Sequence, residues 1–96
     1  RWVMVYSELT LGPRILCRSA ARIEGPWSEP ATLYECPEPA TDKKMMVYSA
    51  KAHPELSRPG ELLVSYCVNS TDFGDVLAHA EKYRPRFVRV PLGMVP

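Results

Sequence analysis

The residues of this chain best suited to chemistry lie in a short segment around a single proline. Lys51, His53 and Glu55 alternate along the sequence, and alternate residues of an extended strand share one face. A cation, an imidazole and a carboxylate on one face could bind the hydroxyls of a ligand or shift the pKa of a neighbouring acid. His53 and Glu55 are therefore candidate catalytic residues. The alternative is a strand end that makes ordinary polar contacts before Pro54 breaks the strand.

Three further side chains are candidate ligand contacts, and two of them have a simpler alternative. Asn69 ends a predicted strand, where it could contact a ligand, cap the following loop, or carry a glycan on the acceptor sequence Asn-Ser-Thr. Arg86 belongs to the local basic cluster YRPRFVR and could hold a carboxylate bidentately, as an acidic sugar would require. A surface ion pair is the alternative for this arginine. Tyr66 could stack on a sugar ring.

Composition favours a packed globular chain and excludes several kinds of partner. Of the 96 residues, 46% are hydrophobic and 24% are charged, and the formal net charge is +1, values typical of a globular domain. Twelve basic residues against eleven acidic ones give no overall field that would attract nucleic acid or an anionic membrane. No apolar stretch approaches the roughly 20 residues needed to span a bilayer. We therefore expect neither nucleic acid nor a membrane as partner.

The cysteines give no sign of a metal site. Cys17, Cys36 and Cys67 form no CxxC pair, and the two histidines lie far apart in the sequence. A structural zinc site needs about four converging ligands, so we assign no metal ligand and expect no cofactor. Small buried side chains on strands are the ordinary role of such cysteines.

Strand patterns dominate the chain, so the sequence predicts an all-β fold. β-branched and aromatic runs are separated by turn signals such as Gly-Pro and Pro-Gly. One stretch, near residues 75–82, has helical composition, with Asp75 as its expected N-cap. The predicted strands are residues 2–7, 14–23, 31–36, 45–52, 61–69 and 86–92.

The sequence also repeats itself at a distance typical of one architecture. The tetrapeptide Met4–Ser7 recurs unchanged at residues 46–49, an offset of 42, and a second register aligns WVMVYS with LLVSYC. An offset of about 40–45 residues is the repeat length of four-stranded propeller blades. A single blade cannot cover its own apolar faces and must stack on neighbours. The repeat therefore favours stacked antiparallel sheets.

Specific motifs resemble one group of such proteins. The stretch SAARIEGPWS, residues 19–28, resembles the turn that joins the third strand of a blade to the outermost fourth strand in five-bladed β-propellers of the arabinanase, xylosidase and fructosidase type. Residues 48–56, 63–66 and 83–87 are similar to the last blade of a related group of extracellular propellers. The resemblance covers nearly the whole chain, although proteins of this fold differ widely in activity.

The resemblance implies that the chain forms about two partial blades at the C-terminal end of such a ring. Residues 1–40 would supply the second to fourth strands of one blade, and residues 41–96 the first to third strands of the last. Residues 45–53 would be the innermost strand of that last blade and line the central channel. The chain opens in what reads as the middle of a strand, so we expect a longer protein whose remaining blades are partners of this segment.

The resemblance further implies a secreted, carbohydrate-active protein, either a glycoside hydrolase or a sugar-binding propeller. His53 and Glu55 would then be channel residues with catalytic roles. The candidate carbohydrate contacts are Lys51, Asn69, Tyr66 and Arg86. Glycoside cleavage normally needs two carboxylates about 5 to 9.5 Å apart, and the sequence shows no recognisable pair, so the enzyme question stays open. Some relatives hold a channel metal ion, and a non-catalytic scaffold or protein-interaction propeller is the alternative function.

Overall fold

The computed structural model describes every residue from Arg1 to Pro96 and consists mostly of β-structure. Sheet A contains β1 (Trp2–Ser7), β2 (Arg14–Ala20) and β3 (Ala31–Glu35), in that order. Sheet B contains β4 (Met45–Ala52), β5 (Glu61–Ser70) and β6 (Arg86–Pro91), also in chain order. All neighbouring strands are antiparallel. The prediction of a mostly β chain with six strands is thus confirmed.

The short helices differ from the prediction. One lies near the expected place, but α2 (Phe73–Ala78) begins before residue 75, and its N-cap is Asp72, whose side chain accepts a hydrogen bond from the amide of Asp75. The helix ends at His79, whose φ of −136° and ψ of 49° are not helical, and residues 80–82 form a separate 3-10 turn. A second helix, α1 (Glu38–Thr41), was not predicted. Its four residues lie in a proline-rich stretch that is typical of a loop.

Alternation along the strands gives each sheet one face that packs against the other sheet. In β5, Leu62, Val64, Tyr66 and Val68 are buried, whereas the side chains between Val64 and Ser70 on the opposite face are only partly covered. This period of two is the one expected of a strand with unequal faces. The shared core comprises Ile15, Cys17, Leu33, Cys36, Val47, Leu62, Val64, Tyr66, Val68, Val90 and Val95.

The two sheets approach each other most closely at β1 and β4, which are both edge strands. One direct hydrogen bond joins them, since the backbone amide of Ala50 donates to Oγ of Ser7 at 3.0 Å. Further contacts come from Pro96, whose backbone oxygen accepts hydrogen bonds from Arg1 and Ser19. The sheets are therefore joined at one pair of edges in addition to the core that they share.

A β-bulge interrupts β4 where it faces β1. The register moves from the pair Tyr48 and Cys67 to the pair Lys51 and Ser65, so β4 holds one residue more than β5 across this step. Ser49 adopts φ +56°, a left-handed conformation that is uncommon for a residue other than glycine. Bulges re-aim side chains and terminate pairing, and here the bulge directs the Ala50 amide to Ser7.

The outer faces of both sheets carry exposed apolar side chains. On sheet A, Trp2 is 51% exposed and Met4 is 42% exposed, and on sheet B, Phe87 is 59% exposed. Along β1, Trp2, Val3 and Met4 are exposed and the residues from Val5 to Ser7 are partly buried. None of the helices is long and apolar enough to cross a membrane.

Candidate functional site

The structure separates the predicted site residues along the β4–β5 pair. Met46 lies opposite Asn69 at one end, and Ala52 lies opposite Val64 at the other. At about 3.3 Å per residue, the five steps from Asn69 to Val64 on β5 span roughly 17 Å. Asn69 and His53 therefore belong to two different places, which the sequence could not distinguish.

The first place is the His53 cluster, formed by His53, Glu55, Ser65 and Phe87. Nε2 of His53 lies 2.7 Å from Oγ of Ser65, and Nδ1 lies 3.7 Å from Oε1 of Glu55. The imidazole side chain is 15% exposed, whereas the carboxylate side chain is 65% exposed. The ring centroids of His53 and Phe87 are 5.8 Å apart. Lys51 pairs with Ser65 on the adjacent strand and is exposed.

This geometry places an imidazole between a hydroxyl and a carboxylate. An imidazole in hydrogen-bond contact with a hydroxyl can accept or return its proton. At 3.7 Å the Glu55 carboxylate is an ion-pair partner for the protonated imidazole rather than a hydrogen-bond acceptor. The cluster can therefore hold a proton, and its one carboxylate would have to act with a second one for glycoside cleavage.

Tyr66 and Arg86 lie at a separate place, where both contact the carboxylate of Glu38. The Tyr66 hydroxyl donates to Glu38 Oε1 at 2.9 Å and lies 3.0 Å from Oε2. Nε of Arg86 lies 3.6 Å from Oε2 of the same carboxylate, whose side chain is 14% exposed. The pKa of Tyr66 is raised, mainly because the side chain is buried and secondly because its hydroxyl is bonded to Glu38. A carbohydrate contact by Tyr66, itself 2% exposed, would require these internal contacts to open.

Arg86 also fixes the loop that precedes β6. Its guanidinium donates to the carbonyl oxygens of Lys82 and Arg84, each at 2.8 Å. The same side chain is therefore bonded to the loop and paired with Glu38. Arg86 is a positioning residue for the segment that carries Tyr83 and Arg84.

That segment closes a cavity of about 210 Å³ at the Asn69 end of sheet B, which we call the Asn69 cavity. It lies between the outer face of β4 and β5 and the connection that contains α2. The lining residues include an asparagine, two tyrosines, an arginine, a cysteine with a free thiol and small apolar residues. The lining residues are Tyr48, Cys67, Val68, Asn69, Val76, Tyr83, Arg84 and Pro85.

Two of the lining groups are held by local hydrogen bonds. Oδ1 of Asn69 accepts from the amide of Ser70 at 2.8 Å, which directs Nδ2 toward the hydroxyl of Tyr48, 3.5 Å away. The Tyr83 hydroxyl donates to Asp75, and this bond raises the pKa of Tyr83 and lowers the pKa of Asp75. The Asn69 side chain thus acts both as a loop cap and as part of the cavity wall.

The cysteines and acidic groups form no metal centre. All three thiols are free, and no group of three or more His, Cys, Asp or Glu side chains is placed to hold a metal ion. Cys36 is 3% exposed, and burial together with the nearby Glu38 charge raises the pKa of its thiol to about 12. Burial also raises the pKa of Cys17, so neither buried thiol is prepared for nucleophilic chemistry.

Sequence reasoning overlooked three residues that organise these places. Glu38 lies in a proline-rich connection, and its partner Tyr66 is 28 residues away, so no local pattern signals the contact. Ser65 is an ordinary outward-facing strand residue until His53 is placed beside it. Tyr48 has a visible signal, since it is the only aromatic residue of β4.

By fold, the chain is a mostly β protein of two packed three-stranded antiparallel sheets, with a mixed polar and aromatic cavity at one end of sheet B. A family model described as "Domain of unknown function (DUF5005)" matches residues 1–91, and the chain therefore belongs to this family. The match includes all six strands. No curated protein and no solved structure matches the chain.

Proposed function

We propose that this chain forms two partial blades of a five-bladed β-propeller that binds carbohydrate outside the cell. In this arrangement residues 1–40 supply the second to fourth strands of one blade, and residues 41–96 supply the first to third strands of the last. Blades of a propeller are antiparallel sheets that pack face to face around a central channel. Sheets A and B are antiparallel, share one core, and approach each other most closely at edge strands.

The uncovered outer face of sheet A supports stacking on a further blade. Trp2 and Met4 lie on this face and are exposed. One edge of β1 pairs with no strand of this chain. In the proposed ring, the innermost strand of the blade that contains sheet A would pair with this edge. Exposed edges and apolar faces of this kind are normally covered in stable proteins.

Carbohydrate binding is proposed on one observation, the Asn69 cavity. Amide and phenol groups donate and accept hydrogen bonds, which matches the hydroxyls of a sugar, while aromatic rings supply apolar surface for its ring. The cavity lies where β5 leads into the β5–β6 connection. In the proposed ring this loop joins second and third strands and lies on the ligand face.

The His53 cluster favours a second candidate function, glycoside hydrolysis by the whole protein. Glu55 would act as a catalytic carboxylate and His53 would hold or pass its proton, with Lys51 beside them. On β5, Ser65 of the cluster lies two residues, about 7 Å, from Cys67 of the Asn69 cavity, so one glycan could contact both. A protein that binds carbohydrate without cleaving it needs only the Asn69 cavity. A propeller that serves as a scaffold needs neither the cavity nor the His53 cluster.

Binding of the full-length protein to arabinan, xylan and fructan tests the proposal. We expect binding to at least one glycan, and we expect Asn69→Ala to weaken it about tenfold, because the amide loses its contact with the ligand. Thr71→Ala is the matched control, since both changes destroy the glycosylation sequence and only Asn69→Ala removes the amide. Absence of glycan binding, or equal loss in both variants, would contradict the proposed role of the cavity.

Release of reducing sugars from the same glycans tests the hydrolase candidate. If Glu55 is catalytic, Glu55→Gln abolishes turnover while binding is retained. Turnover that survives this change undiminished excludes Glu55 as the catalytic acid. A protein that binds and never cleaves supports the sugar-binding form of the proposal.

A further inference from the structure

We propose that the Asn69 cavity recognises an acidic sugar, whose carboxylate is held by Arg84. This inference rests on the proposed carbohydrate binding and names the class of sugar. Arg84 is the only charged residue that lines the cavity, and arginine presents paired N–H donors that match a carboxylate. A carboxylate on the sugar would form this charge-assisted pairing, which a neutral sugar cannot form.

Arg84 is unusual among the arginines of the chain because its guanidinium has no internal partner. Four others pair with carboxylates, namely Arg14, Arg22, Arg86 and Arg89. Arg1 and Arg18 donate to backbone carbonyls or to a tyrosine hydroxyl. Only Arg58 shares the unpaired state of Arg84, and it lies in the turn before β5, at the opposite end of sheet B.

The backbone that carries Arg84 is fixed before any ligand arrives. Its carbonyl oxygen accepts from Arg86 at 2.8 Å, and Arg86 is itself paired with Glu38. The neighbouring Tyr83 is anchored through its hydroxyl to Asp75, which does not line the cavity. A backbone that is already fixed loses little conformational entropy when a ligand binds, although the Arg84 side chain itself becomes ordered only by the ligand.

The size and walls of the cavity match one sugar unit. Pockets for drug-sized ligands measure about 300–1,000 Å³, and this cavity of about 210 Å³ is smaller. Tyr48 and Tyr83 provide flat apolar surface, and the Asn69 amide faces the same space. With Arg84 these groups offer contacts for the ring, the hydroxyls and the carboxylate of a single uronic acid.

The rate at which Cys67 is alkylated reports whether a ligand occupies the Asn69 cavity. Cys67 lines the cavity and is partly exposed, whereas Cys17 and Cys36 are buried. In the full-length protein, the rate of Cys67 alkylation by iodoacetamide would be measured by peptide mass spectrometry with increasing D-glucuronate or D-galacturonate. We expect at least one uronate to slow alkylation in a saturable way. Arg84→Gln should raise the half-saturating concentration about tenfold or more, and Arg58→Gln should leave it unchanged.

Neutral sugars and acetate serve as control ligands that show whether protection of Cys67 by a uronate requires both the sugar and its carboxylate. D-glucose and D-galactose should protect Cys67 at least tenfold less well than the uronates, and acetate should not protect it. Equal protection by the neutral sugars overturns the acidic-sugar inference and leaves carbohydrate binding standing. Equal protection by acetate shows a simple anion site and overturns the inference. Protection by no probe also overturns it, while glycan binding by the full-length protein independently decides the proposed function.

Discussion

Glu38 shows how one carboxylate organises side chains from distant parts of the sequence. It accepts from Tyr66 and pairs with Arg86, and it adds to the burial that raises the pKa of Cys36. Through Arg86 it also fixes the carbonyls of Lys82 and Arg84. A residue that touches no ligand thus supports one wall of the Asn69 cavity.

Glu38→Ala is expected to destabilise the protein by about 1–3 kcal/mol, because it leaves the Tyr66 hydroxyl and the Arg86 guanidinium partly buried without their partner. Unfolding by urea measures the change. Glu55→Ala is the control, since that side chain is 65% exposed and surface substitutions usually change stability by less than about 0.5 kcal/mol. Equal effects of the two changes would refute a structural role of Glu38.

The buried thiol of Cys36 predicts loss of stability at alkaline pH. Burial raises its pKa from the ordinary 9.0 to about 12 in the folded protein. Between these values the unfolded chain loses a proton that the folded chain keeps, so the free energy of unfolding falls as pH rises. One proton corresponds to a slope of up to about 1.4 kcal/mol per pH unit.

Denaturation series at pH 8 to 11 would measure this slope in the wild type and in Cys36→Ala. We expect the variant to be less stable at pH 8 and to lose stability less steeply above pH 9. Cys67→Ala is the control, since that thiol lies on the opposite face of sheet B and is partly exposed. Parallel slopes for wild type and Cys36→Ala would contradict the prediction.

At the scale of elements, a turn glycine offers a test of backbone conformation. Gly60 adopts φ +80° in the turn before β5, and its carbonyl oxygen accepts from the amide of Leu92. No atom would meet an added Cβ at Gly60 or at Gly93, and only Gly60 has a positive φ. The two positions therefore differ in conformation and not in available space.

Gly60→Ala is expected to cost about 1–2 kcal/mol, because an L-residue is disfavoured in the left-handed region. Gly93→Ala should be neutral or should stabilise the protein by up to about 1 kcal/mol, because alanine restricts the unfolded chain. Thermal and urea unfolding of both variants measures the difference. Similar effects at the two positions would show that the turn relaxes to accept alanine.

The strands could be predicted from the sequence, whereas the arrangement of the site could not. β-branched runs between Gly-Pro and Pro-Gly signals identify the strands because these signals are local. The separation of Asn69 from His53 depends on strand register, and the bulge at Ser49 shifts that register by one residue. The contact of Tyr66 with Glu38 joins two elements across the core, and nothing in either segment encodes it.

At the scale of the whole molecule, the exposed outer face of sheet A distinguishes a free-standing chain from two blades of a ring. Met4 is 42% exposed here, and Leu56, in a 3-10 turn, is 60% exposed. In the proposed ring Met4 contacts a neighbouring blade. Burying an unpaired charge at that contact would be costly.

Met4→Lys should therefore destabilise the full-length protein by more than about 1 kcal/mol. Leu56→Lys should change stability by less than about 0.5 kcal/mol, because the side chain stays in solvent. Differential scanning calorimetry of the full-length variants makes the comparison. Equal melting temperatures for the two variants would contradict stacking on the outer face of sheet A.

The extra residue in β4 also affects how the protein resists self-association. A straight edge strand presents unpaired N–H and C=O groups that can template another chain. At Ser49 the backbone turns left-handed, and the following amide of Ala50 is bonded to Ser7 of the other sheet. An incoming strand therefore cannot extend sheet B in an unbroken ladder past this point, and this edge is protected against fibril-like growth.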